Sequence, residues 1–304
     1  MIFDDLLEEK AKIIVPEFKK LFFDALQRQT HEGDLLLVEI NGFYNPEVYK
    51  WTNIPDKNPY MIGFGKDGHS DMMHQRFIND YRRNNIAKET YPEYLKKFEF
   101  SEERIQETRL LEEKESMQIQ LQMLIYLKIW ESDLFIKRLY QITNLINGED
   151  YDWHFKIKGY NREKEISTGT RETIIRKKVR DRLKSLYPGI ASAISNAYKT
   201  QIRNAIAHST YFCVGRHIHL TNYDEGDPSS QIEVLSFDDW NSLFHDTIVL
   251  YNQMIGLSIW TDNFYAKVAE KHDLQMQIRV SRKDPEEKIV YTMLTYRPYF
   301  HDWH

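Results

Sequence analysis

One short run of residues, RNAIAH at positions 203–208, places three side chains together that could carry out chemistry. Arginine donates two parallel hydrogen bonds to a phosphate, and histidine takes or gives a proton near neutral pH. Arg203 and His208 therefore supply the charge stabilisation and the acid–base function that metal-free cleavage of an RNA phosphodiester needs. Asn204 adds a short amide beside them. We take Arg203, Asn204 and His208 as the candidate catalytic residues and call this run the 203–208 motif.

The spacing within the motif raises a geometric problem. On an α-helix Asn204 and His208 share a face, whereas the directions of Arg203 and His208 differ by about 140°. One chain is therefore poorly suited to aim both groups at one phosphate. The expected end of the helix near His208 and the long arginine side chain reduce the mismatch. The small Ala205 and Ala207 leave room for another helix or protomer to approach closely.

Composition limits the class of protein. The 304 residues are enough for one large domain or two modest ones, and 41% hydrophobic with 13% aromatic residues can build a substantial core. A net charge of -5 and a pI of about 6.1 exclude a globally basic nucleic-acid binder but leave a local basic face open. The single cysteine, Cys213, excludes a disulfide scaffold or a cysteine-rich zinc module within one chain.

The N-terminal segment predicts the location of the protein. It is acidic and lacks a basic-then-apolar signal pattern, and the apolar runs of the sequence are far shorter than a membrane span. We expect a soluble cytoplasmic protein that does not associate with membranes.

Hydrophobic periodicity together with Gly and Pro positions predicts a mainly α protein. Helices are expected over 4–30, 71–84, 101–147 with a break, 170–187, 190–208 and 236 to about 260. Strands are expected over 35–40, 211–214, 217–220 and in the alternating tail 274–299 around Asp284-Pro285. Ser101 is expected to cap one helix, and Ser236-x-x-Asp239 forms a capping box before another. The chain divides into an α+β N-terminal region of unknown role (1–100), a helical domain (101–262) and a C-terminal β-rich extension (263–304).

The order of these elements resembles the HEPN superfamily over roughly residues 101–262. Its members are compact antiparallel helical bundles, and many are metal-independent ribonucleases with an R-x(4–6)-H motif late in the bundle. Arg203 matches the family arginine, Asn204 the polar residue that commonly follows it and His208 the histidine. The resemblance implies an endoribonuclease that acts by ribose 2′-OH attack, with His208 as general acid or base and Arg203 as phosphate clamp. It needs no metal or cofactor.

The resemblance also implies partners. HEPN nucleases commonly pair two motifs across a homodimer, which would resolve the angular mismatch through a composite active site. Such proteins often act in phage defence or as toxins, so a regulatory or antitoxin partner is a further expectation.

A localised basic segment precedes the motif in an otherwise acidic chain. Its candidate RNA-binding residues are Arg176, Lys177, Lys178, Arg180, Arg182 and Lys184. Such a surface would follow the RNA backbone and make binding salt-sensitive. The alternative is an ordinary solvated helix face.

Other interpretations of the motif stay open. R-x-x-x-x-H is a short pattern that arises by chance, and Arg203 with His208 could simply complement a helix C-terminus. His217 and His219 alternate on one strand, but no acidic or thiol ligand with suitable spacing completes a zinc site. They could contact RNA instead. The rival functions are a non-catalytic HEPN-type module that binds RNA, nucleotide or protein, and a purely structural helical interaction protein.

Overall fold

The computed structural model describes residues 1–47, 58–64, 68–158, 167–282 and 289–304. Helix accounts for 59% of the described residues, and their strands form small antiparallel sheets, so the protein is mainly α as predicted. The helices are α1 (Asp4–Arg28), α2 (Asp34–Glu39), α3 (Gly68–Asn84), α4 (Tyr91–Leu95), α5 (Ile105–Trp130), α6 (Asp133–Ile146), α7 (Arg171–Thr173), α8 (Asp181–Leu183), α9 (Pro188–Ala197), α10 (Thr200–His208) and α11 (Phe237–Ala269). A π-helical segment, Ile174–Arg180, joins α7 to α8.

Within the described ranges, three antiparallel sheets accompany the helices. Their strands are β1 (Phe43–Tyr44) with β2 (Tyr60–Met61); β3 (Tyr211–Val214), β4 (His217–Leu220) and β5 (Val234–Ser236); and β6 (Gln275–Ser281), β7 (Ile289–Arg297) and β8 (Asp302–Trp303). The strands over 211–214 and 217–220 and those of the C-terminal tail were predicted. Asp284-Pro285, around which the tail was expected to alternate, lies outside the described residues.

The strand predicted over 35–40 is wrong, because this run forms the short helix α2. All four residues of Leu35–Val38 are buried. A continuous apolar run that is buried on every side has no period that separates a strand from a helix.

The long Gly- and Pro-free stretch contains the predicted break. α5 ends at Trp130 and α6 begins at Asp133. Ser101 does not cap a helix with its side chain, since a short 3₁₀ turn, Glu102–Arg104, precedes α5. α6 stops two residues before Gly148, which has a positive φ of 73° and so favours glycine.

The structure groups the chain into two compact units. The first contains Met1–Pro16, Met73–Ser132 and Pro188–Asn252; the second contains Glu17–Met72, Asp133–Tyr187 and Gln253–His304. The 203–208 motif lies in the first unit and the basic segment in the second. The sequence-based boundaries near residues 100 and 262 stay predictions.

A buried histidine anchors the N-terminal residues within the first unit. The backbone N–H of Phe3 donates to His245 Nε2 at 2.9 Å, and His245 Nδ1 lies 2.6 Å from the carbonyl oxygen of Asn241. Because a carbonyl only accepts, Nδ1 carries the proton and the imidazole is neutral. Burial lowers the pKa of His245 to about 4.

A buried lysine has a similar role in the second unit. Lys137 Nζ donates to Asn41 Oδ1 at 2.9 Å and to the Gly42 carbonyl at 2.6 Å, and burial lowers its pKa to about 7.

Gly33 packs directly on β6, where an added Cβ would lie 2.7 Å from the Gln277 carbonyl oxygen. A side chain at position 33 would therefore force these segments apart.

Candidate functional site

The motif lies on its own short helix, α10. The single helix predicted over 190–208 is wrong, because Lys199 adopts an extended conformation (φ -118°, ψ 113°) between α9 and α10. The hydroxyl of Tyr126, on α5, stabilises this break. It donates to the Ala197 carbonyl at 3.1 Å and accepts from the Lys199 N–H at 3.3 Å. These bonds satisfy backbone groups that a continuous helix would have paired.

His208 is the last residue of α10 and its side chain is exposed. The helix ends because Ser209 has a left-handed conformation with φ 55°. The Thr210 N–H then donates to the Ala205 carbonyl at 2.9 Å, and β3 begins one residue later. The imidazole of His208 is therefore presented to solvent at a defined helix end.

Arg203 is held by an acidic residue that the sequence analysis did not identify. Its Nη1 donates to Oε1 of Glu131 at 2.7 Å. Glu131 is the residue that directly follows α5. The guanidinium is mostly buried, and its Nε has no hydrogen-bond partner among the described residues. A buried donor without a partner costs free energy. The unpaired Nε leaves part of the hydrogen-bonding capacity of the guanidinium unused.

The three candidate catalytic residues share α10 but are not assembled into one cluster. Since the helix includes His208, the angular difference of about 140° between Arg203 and His208 persists. Asn204 is half-buried and lies one turn before His208. Within the described residues, no hydrogen bond joins the side chains of Arg203, Asn204 and His208 to one another.

The two alanines of the motif differ in environment. Ala205 is fully buried within its own chain, whereas Ala207 is exposed. Ala205 therefore contributes to internal packing, and only Ala207 is free to face a second protomer.

The basic segment in the second unit is partly neutralised by acidic neighbours. Arg176 pairs with Glu172 at 2.8 Å and Arg180 with Asp181 at 2.7 Å. Arg182 pairs with Glu149 at 2.8 Å and donates to Asn144. Lys178 lies 5.9 Å from the centre of the Tyr140 ring, while Lys177 and Lys184 are exposed. The two exposed lysines are therefore the most available of the six candidates for a phosphate backbone.

Two cavities lie away from the motif residues. One of about 540 Å³ in the second unit is lined in part by His31, Glu32 and His272. Another of about 300 Å³ in the first unit is lined in part by Phe3 and Tyr94. Neither is lined by Arg203 or His208.

In the part of the chain that the structure describes, no group of three or more His, Cys, Asp or Glu residues is placed to hold a metal ion. Among those same residues, no helix combines the length and apolar character required to cross a bilayer.

In comparisons with known proteins, no family model, no curated protein and no solved structure matched this chain.

Proposed function

We propose that this protein is a metal-independent endoribonuclease of the HEPN type, in which Arg203 and His208 carry out the chemistry. The observation that carries the proposal is the presence, on one nine-residue helix, of an exposed terminal imidazole and an arginine side chain that is 22% exposed. An imidazole at the surface can reach a substrate proton, and a guanidinium can hold a phosphate.

The proposed reaction is an internal displacement at phosphorus. The ribose 2′-oxygen forms a bond to the adjacent phosphorus while the bond from phosphorus to the 5′-oxygen breaks. His208 accepts the proton of the 2′-OH or, as imidazolium, gives a proton to the departing 5′-oxygen. Arg203 stabilises the charge on the non-bridging oxygens. Asn204, one turn from His208, orients the imidazole or a phosphate oxygen.

A composite site follows from the angular difference between Arg203 and His208. We propose a homodimer in which Arg203 of one protomer and His208 of its partner act on the same phosphate. Ala207 lies on the exposed side of α10 and allows a close approach. The basic segment, through Lys177 and Lys184, would follow the RNA backbone.

The biological setting is proposed by analogy with HEPN nucleases alone. It is a cytoplasmic phage-defence or toxin effector, with an antitoxin or other regulatory partner controlling its activity.

The proposal is tested by the products of RNA digestion. Purified full-length protein incubated with single-stranded RNA and EDTA should leave ends with a 2′,3′-cyclic phosphate or its 3′-phosphate product. A 2′-O-methyl group at the cut site should abolish cleavage there, because it removes the nucleophile. Cleavage that requires a divalent metal, or that proceeds equally on 2′-O-methyl RNA, would contradict the proposed mechanism.

One observation favours the non-catalytic alternative. The ion pair with Glu131 occupies Nη1 of Arg203, as expected where arginine has a structural role. A binding module of this kind would bind RNA, nucleotide or protein without cutting RNA under any condition, including in the presence of an added regulatory partner.

A further inference from the structure

The β3–β4–β5 sheet, which follows the motif helix directly, has an outward face that carries aromatic, histidine and aliphatic side chains. Cross-strand pairing places Phe212 opposite His219 and His219 opposite Val234. Val214 is likewise opposite His217. Because side chains alternate along a strand, these five residues share one face of the sheet. Phe212, Val214 and Val234 are 50%, 60% and 43% exposed.

Two aromatic rings on this face are stacked on each other across neighbouring strands. The rings of Phe212 and His219 are stacked, with centroids 4.9 Å apart and planes only 5° from parallel. Phe212 supports His219 from the neighbouring strand while remaining half-exposed. The pair is thus an existing stack that has surface left to extend.

We propose that this face is a stacking platform for one or two bases of single-stranded RNA, centred on Phe212 and His219. The proposal rests on the proposed ribonuclease function and specifies where the substrate bases bind. Bases of single-stranded RNA stack on phenylalanine and histidine rings, and such stacking tolerates any sequence because every base has a π-face.

The size of the face favours bases over a protein partner. Two strands of four residues and one of three, about 4.8 Å apart, give a surface on the order of 150 Å². A stable protein interface buries about 800 Å² on each partner. The platform suits one or two planar bases and is too small to hold a second copy of the chain by itself.

The chemistry of the face is compatible with a phosphate backbone. None of its outward positions in these three described strands, which end at Ser236, carries a carboxylate. The imidazoles of His217 and His219 can donate hydrogen bonds to phosphate or base oxygens. Asp227, in the β4–β5 connection, is engaged by the hydroxyls of Ser229 and Ser230.

The distance to the motif is short. Phe212 follows His208 by four residues, so their Cα atoms lie within about 14 Å. A nucleotide held at His208 would therefore have its near neighbours within reach of the platform.

The test is RNA binding by full-length protein, with a 2′-O-methyl oligonucleotide that resists 2′-OH attack. Phe212→Ala should weaken binding about 5- to 100-fold, since one aromatic stack is lost. Phe212→Leu, which keeps the apolar bulk, should weaken it similarly, and Phe212→Tyr should preserve it. The dependence of log Kd on log salt should keep its slope, because stacking displaces no counterions.

Phe100→Ala is the matched control, because Phe100 is 84% exposed and lies outside the sheet. It should leave binding unchanged, and the circular dichroism of every variant should match wild type. If wild type binds RNA and both Phe212→Ala and Phe212→Leu bind it equally well, the stacking platform is overturned and the proposed ribonuclease function is not. A change of oligomeric mass in these variants with unchanged RNA affinity also overturns it and assigns the face to a contact between copies. Absence of RNA binding by wild type overturns both the platform and the proposed function.

Discussion

The guanidinium of Arg203 and the carboxylate of Glu131 form an ion pair, with Nη1 and Oε1 2.7 Å apart. Glu131 follows α5 and Arg203 lies on α10, so the pair ties the motif helix to the end of a central helix of the first unit. An RNA phosphate that binds Arg203 must compete with this carboxylate or share the guanidinium with it.

Removing the charge of Glu131 should therefore strengthen RNA binding. For Glu131→Gln we expect affinity to rise about 2- to 5-fold, because a partly exposed pair contributes about 0.4–1 kcal/mol. The salt slope should steepen by about 0.7, the value for one added phosphate contact on a single strand. Binding titrations on 2′-O-methyl RNA at several salt concentrations measure both effects.

Asp133→Asn is the control for this change. It removes the same charge two residues away, where the carboxylate pairs with Arg171. Equal gains from both variants would show a general charge effect, and the gain from Glu131→Gln should vanish in an Arg203→Gln background.

A composite site predicts complementation between inactive variants. Arg203→Ala and His208→Ala should each be inactive alone. If the two chains exchange subunits, half of the dimers are mixed and each has one intact site, so roughly a quarter of wild-type activity should return. Light scattering checks for the dimer. A strict monomer that remains active, or a mixture that regains nothing after proven exchange, would exclude the composite site.

The basic segment predicts a second electrostatic effect. Reversing the exposed Lys177 and Lys184 to Glu should weaken RNA binding and flatten its salt slope, by about 0.7 for each lost phosphate contact. Lys271→Glu, at another exposed lysine of the second unit, should change neither. An unchanged slope in the double variant would assign the segment to ordinary solvation.

His245 predicts a pH dependence of stability. Its folded pKa of about 4 lies below the ordinary value of 6.5, so the unfolded chain binds the proton first as the pH falls. The stabilisation is present above pH 6.5 and is lost between pH 6.5 and 4, by up to about 3 kcal/mol.

Thermal or urea unfolding across this pH range measures the effect. His245→Gln has no titratable group and can still accept from the Phe3 N–H through its amide oxygen. The variant should therefore lose less stability than wild type between pH 6.5 and 4. Parallel stability curves for the two proteins would show that His245 does not titrate in this way.

Elements with a clear period and a local stop signal were predictable from the sequence. The period applies to α1, a stop signal adds to it at α6 with Gly148, and a start signal adds to it at α11, which begins after a capping box in which the Asp239 N–H donates to Ser236 Oγ at 3.0 Å. The helix α11 ends at Ala269 instead of near Trp260, and the expected end was wrong because no Gly or Pro follows Trp260 to stop the helix there.

Features that depend on distant residues were not predictable. The break at Lys199 depends on the hydroxyl of Tyr126, and nothing near Lys199 in the sequence indicates it. The pairing of Arg203 with Glu131 is equally remote in sequence. The sequence did indicate the direction of Phe212. Phe212 and Cys213 are neighbours on a predicted strand, so their side chains point to opposite faces of the sheet. Which of the two faces is exposed could not be read from one sequence.

The role of His208 in proton transfer is measured by the rate at which folded His208→Ala cuts single-stranded RNA in EDTA. The variant should cut about 10²–10⁴-fold more slowly than wild type, because it lacks the group that transfers the proton. Its helical content and melting temperature should be unchanged, since His208 is exposed at a helix end. His272→Ala, at another exposed histidine, should cut at the wild-type rate. A folded His208→Ala protein that cuts as fast as wild type would contradict the proposed role of His208 in proton transfer.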